Sequence, residues 1–72
     1  MTLYDMNEGA HAKIVAIGGG SNTQQQLREL GLYAGDTVRV IRRAAFSGPL
    51  LIETRGTQIA LGRAIAEQVV VE

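Results

Sequence analysis

The chain has 72 residues, no cysteine, and seven basic side chains against seven acidic ones. At this length one domain spanning residues 1–72 is the expectation, with a thin core and no room for a large enclosed active site, because so short a chain buries only about 60% of its unfolded surface. The missing cysteines exclude disulfides and thiolate metal sites and fit a reducing cytoplasm, while zero net charge argues against a dedicated nucleic-acid binder.

Val, Ile, Leu and Phe nevertheless make up 20 of the 72 residues, about 28%, above the ~20% below which chains tend to remain disordered. Residues 1–8 have neither a basic start nor a long apolar run, so no secretory leader is expected. The longest aliphatic runs, 50–52 and 69–71, fall far short of the ~20 residues of a membrane-spanning helix, and no membrane insertion is expected.

Residues 11–17 alternate, with Ala12, Ile14 and Ala16 on one face and Lys13, Val15 and Ile17 on the other, which predicts a first strand. Gly18, Gly19 and Gly20 end it. A short helix over 23–30 follows, with Thr23/Gln26 and Ser21/Gln24 at capping-box spacing, Leu27 and Leu30 on one face, and Gly31 placed for a left-handed C-terminal cap. Leu32 then packs back under the helix.

A second strand is predicted over 37–43, where Val38 and Val40 face inward and alternation puts Arg39 and Arg43 on one face with Arg42 on the other. Ser47, Gly48 and Pro49 interrupt the pattern. Strands over 50–54 and 58–61 form a hairpin about Arg55, Gly56 and Thr57, residues 62–66 make one turn, and 68–72 is a fifth strand. Five short strands and one short helix predict an all-β fold, a small five-stranded antiparallel barrel whose closure hides strand edges. Its expected core is Ile14, Leu27, Leu30, Val38, Val40, Ile52, Ile59, Leu61 and Val69.

The residue types that carry chemistry are sparse. His11 is the only imidazole, with Glu8 and Asp5 as its nearest upstream carboxylates, too few donors for a tight transition-metal site. The glycine run before the helix lacks the spacing and lysine of a phosphate-binding loop. Ser21, Ser47 and five threonines offer hydroxyls but no base beside them. No catalytic residue, cofactor or metal ligand is assigned, and the chain reads as a non-enzyme.

The one concentrated charge feature is Arg39, Arg42, Arg43, Arg55 and Arg63 against Glu53, Glu67 and Glu72. It reads either as a solvated face laced with Arg–Glu pairs or as a docking surface for acidic groups. Nucleic acid is disfavoured because Tyr4, Tyr33 and Phe46 are scattered, leaving no stacking platform beside the arginines.

Three stretches taken in order resemble the FeoA family of bacterial ferrous-iron uptake. They are Leu3, Met6 and Gly9 with Ala12-Lys13-Ile14; the run Leu27-Arg28-Glu29-Leu30-Gly31-Leu32-Tyr33-Ala34-Gly35; and Gly48-Pro49 through Arg55-Gly56 and Ile59-Ala60-Leu61 to Ala66 and Val69-Val70-Val71-Glu72. Gln26 and Gly62 stand where the family often carries basic residues. The resemblance implies an SH3-like barrel and a cytoplasmic accessory role beside FeoB, a GTP-binding membrane iron transporter. The alternative is a free-standing relative of the repressor barrel that modulates a metal-dependent transcriptional regulator; with no helix-turn-helix in the sequence, that role needs a second chain. Docking on the FeoB-like partner is expected to combine Arg42 and Arg43 with the exposed helix positions Gln25, Arg28 and Glu29.

Overall fold

A computed structural model describes all residues 1–72. A 3₁₀ turn over Leu3–Asp5 precedes β1 (His11–Ile17), α1 (Ser21–Leu30), β2 (Thr37–Arg43), β3 (Leu50–Thr54), β4 (Thr57–Leu61), the single-turn α2 (Arg63–Ala66) and β5 (Val69–Val71). The strands form one antiparallel sheet in the order β4-β3-β2-β1-β5. Both end strands send their inward residues, Ile59 and Leu61 from β4 and Val69 and Val71 from β5, into the same core cluster. The sheet therefore curls into the expected five-stranded barrel, with an open seam between β4 and β5.

The expected core residues are buried with one exception. Leu27 is fully enclosed, whereas Leu30 is 42% exposed. Gly31, at φ +92°, turns the chain left-handed; its N–H donates to the Arg28 carbonyl at 3.0 Å, and the Leu32 N–H donates to the Leu27 carbonyl at 2.9 Å. This double bond pattern swings Leu32 back beneath the helix beside Leu27. Leu32 fills the space that helical spacing alone assigned to Leu30.

The helix also starts differently from expectation. Gly20 occupies the cap position and no side chain caps the first turn, so neither predicted capping pair forms. Ser21 and Thr23 lie inside the helix instead, and the Gln24 amide donates to the Ile17 carbonyl at 3.3 Å. Gly19 has φ +78°, and a β-carbon there would meet Thr23 Oγ1 at 2.9 Å. Of the glycine run, Gly19 is thus a steric requirement of the strand-to-helix turn, while a β-carbon on Gly20 would meet nothing within 4 Å.

Irregularities in pairing break the simple alternation twice. A register shift between Ile14 and Ala16 leaves Val15 and Ala16 both exposed, so Ala16 does not share the buried face of Ala12 and Ile14. A second shift lies between Val40 and Arg42. The N-terminal segment adds a bridge from Thr2 to Val70, and the Val71 N–H donates to the Met1 carbonyl at 2.9 Å. These contacts cover the outer edge of β5, where unpaired backbone groups would otherwise invite another strand.

Candidate functional site

The register shift in β2 reassigns the arginines. Arg39 pairs with Glu53 and Arg42 with Leu51, while Arg43 pairs with Leu50, whose side chain is in the core. With Ile41 as the extra residue, Arg39 and Arg42 share the solvent face and Arg43 turns inward, a correction to the alternation expected from sequence. The Arg43 guanidinium donates to the carbonyls of Tyr4 and Met6, the latter at 2.6 Å, and lies 4.6 Å from the centroid of the Tyr4 ring. Its backbone N–H donates to Glu8 Oε2 at 2.8 Å. Arg43 clamps the N-terminal segment onto the barrel.

The other arginines divide into paired and free. Arg55 donates to Asp36 Oδ2 at 2.6 Å, Arg63 to Glu67 Oε2 at 3.2 Å one helical turn away, and Arg39 stands 3.7 Å from Glu53 Oε1. Each pair is partly exposed and worth little to stability. Arg42 is exposed and makes no ion pair.

On the helix, Gln25, Arg28 and Glu29 are all exposed, and the Gln25 amide donates to Glu29 Oε1 at 3.3 Å. Arg28 borders a shallow cleft of about 240 Å³ together with Ile17, Gln24, Leu32, Tyr33 and Ala34. The structure does not bring these residues beside Arg42. The helix C-terminus is tied to the β3–β4 turn, since Arg55 reaches the Gly31 carbonyl at 3.4 Å and the neighbouring Thr54 hydroxyl donates to the Thr37 carbonyl at 3.1 Å. That is the start of β2, and Arg42 stands near its far end, about 16 Å away at ~3.3 Å per residue.

His11 begins β1 with its side chain exposed, opposite Arg39. It lines a polar cleft of about 370 Å³ with Arg39, Glu53, Thr54 and Arg55. The carboxylates nearest to it in sequence are engaged elsewhere. Glu8 accepts from Arg43, and Asp5 accepts from the Thr2 N–H at 3.0 Å and the Thr2 hydroxyl at 3.1 Å. The bond from the Thr2 backbone, then that from its hydroxyl, holds the Asp5 carboxyl below its ordinary value of 3.8.

A feature missed by sequence reasoning lies at the tip of the β2–β3 hairpin. Phe46 and Ser47, both at φ +58°, form a two-residue turn closed by the Gly48 N–H donating to the Ala45 carbonyl at 3.1 Å. Phe46 is completely exposed. The signal available in the sequence was a lone phenylalanine among small turn-forming residues.

The family model described as "FeoA domain" matches residues 1–72. A Methanocaldococcus jannaschii protein, named provisionally as Fe(2+) transport protein A, is 35% identical over 65 residues, covering 90% of this chain and 77% of its own length. The crystal structure of an iron uptake regulatory protein (FeoA) superposes with a TM-score of 0.89 at 34% identity, over 99% of this chain and 92% of that one. A manganese-dependent transcriptional repressor contains the same fold, with a TM-score of 0.91 at 18% identity; 99% of this chain matches 40% of the repressor.

Proposed function

The chain belongs to the FeoA family, and on that premise we propose that it is a cytoplasmic accessory protein of ferrous-iron transport that docks on a GTP-binding membrane transporter of the FeoB type. The observation that carries this reading is the match of the family over residues 1–72, joined by a 35% identical relative named for Fe(2+) transport. Iron is here the cargo of the partner. The chain offers surface: shallow clefts, an exposed helix face and one free arginine at the far end of β2.

Arg42 is the residue of the tract assigned to a partner carboxylate, because Arg43 is occupied within the fold and the remaining arginines have acidic neighbours. Gln25, Arg28 and Glu29 form a second contact on the helix. The test is affinity capture from cytosolic and membrane fractions with wild type and Arg42→Glu. The expected catch is a GTP-binding membrane protein, weakened by Arg42→Glu more at low salt than at high salt, since rim charges act mainly through association rate. Smaller, salt-insensitive losses are expected for substitutions at Gln25, Arg28 and Glu29. Capture of a transcriptional regulator without the membrane protein would replace this reading with the modulator alternative.

A further inference from the structure

The tip of the β2–β3 hairpin has a backbone ill suited to its residues. A two-residue turn with both central residues left-handed is the geometry that Asn-Gly adopts readily and that residues such as Phe and Ser resist. Phe46 and Ser47 nevertheless both stand at φ +58°. The conformation is held by its surroundings. The Ala44 N–H donates to the Pro49 carbonyl at 3.0 Å, and the Tyr4 hydroxyl donates to the Gly48 carbonyl at 3.1 Å. Beneath Tyr4, the Arg43 guanidinium stacks at 4.6 Å. A β-carbon on Gly48 would sit 2.9 Å from Ala44 Cβ, so the two arms of the hairpin approach as closely as glycine permits.

This bracing ends in a side chain that touches nothing. Phe46 is 101% exposed, the most exposed large apolar residue of the chain. The fold gains neither burial nor backbone ease from a phenylalanine at this position, and local rules broken without gain to the fold point to function. Arg42 lies on the solvent face of the same hairpin, without an ion pair. Aromatic side chains and arginines supply most of the energy at protein interfaces, and a turn already fixed in shape loses little entropy on binding.

We propose that Phe46 is an anchor that enters an apolar pocket on the docking partner, with Arg42 meeting a carboxylate at the rim of that pocket. This rests on the docking function argued above and names the chemistry of the partner's surface. A protein pocket fits better than a lipid surface, because one aromatic ring and one free cation fall short of the paired signals that stable membrane anchoring requires.

The test uses two variants, Ser47→Gly alone and Phe46→Asn combined with Ser47→Gly, with binding measured to the purified FeoB-type transporter in nanodiscs and to empty nanodiscs of the same lipid. Both variants relieve the turn, so both should melt higher than wild type, by about 4–8 °C for the double variant. Ser47→Gly should bind the transporter at least as tightly as wild type. The double variant should lose about ten- to a hundredfold in affinity, the range for burial of one phenylalanine side chain. Equal binding by wild type and the double variant overturns the anchor while leaving the docking function intact. No binding by wild type overturns both. Phe46-dependent binding to empty nanodiscs overturns the protein pocket in favour of lipid.

Discussion

Neighbouring residues of like chemistry differ in this protein by what lies against them. Leu27 is enclosed and Leu30 is 42% exposed, three positions apart on one helix. Leu27→Ala should cost about 2–5 kcal/mol, whereas Leu30→Ala should stay within about 0.5 kcal/mol of wild type, both read from urea denaturation midpoints. Arg42 and Arg43 divide in the same way. Arg43→Ala leaves the carbonyls of Tyr4 and Met6 without their donor, an expected loss of about 1–3 kcal/mol by the same measurement, and Arg42→Ala should be nearly neutral. Asp5 carries a pH dependence of defined sign. Its folded-state value lies below 3.8, so its contribution is present above that pH and is lost as the pH falls through the lower folded value. Carboxyl NMR titration should place the Asp5 midpoint below 3.8, and Thr2→Ala, which removes the hydroxyl bond, should move it upward.

At the scale of elements, α1 depends on how it ends. Gly31 stands at φ +92° with open space around its missing β-carbon, so Gly31→Ala should cost about 1–2 kcal/mol from backbone strain alone, with Gly31→Asn costing less. Thermal melts of the two variants against wild type check the order. The elements were largely legible in the sequence, because alternation over 37–43 and 50–54 and the glycine stops are local signals. The two register shifts were not. The one at Ile41 is stabilised by contacts 35 to 39 residues away, where Glu8, Met6 and Tyr4 receive Arg43. For the same reason the Arg tract was visible as composition, while its division into a clamp, three acid-paired residues and one free group was not. The strained turn at Phe46 is not legible in the sequence because its residues argue against the shape they adopt.

Across the whole molecule, a Cα radius of gyration of 10.7 Å matches the roughly 11 Å expected for a compact chain of this length. The free side chains fall into two separate groups, the helix face near the start of β2 and the hairpin tip beyond its end. A partner that engages both must reach across the ~16 Å of β2 that separates its start from Arg42. The barrel's integrity rests on its N-terminal segment, which pairs with Val70 and Val71. Removing residues 1 and 2 should uncover the β5 edge and produce concentration-dependent self-association, measured by sedimentation velocity.

The contact between Met1 and Val71 also places residues 1 and 72 side by side. A short glycine bridge between them can make the chain circular, and a new opening between Phe46 and Ser47 would then restore a linear protein with every strand pairing retained. The cut falls where the backbone is held left-handed, so the rearranged chain sheds that constraint. The order of the strands along the polypeptide is in this sense separable from their order in the sheet.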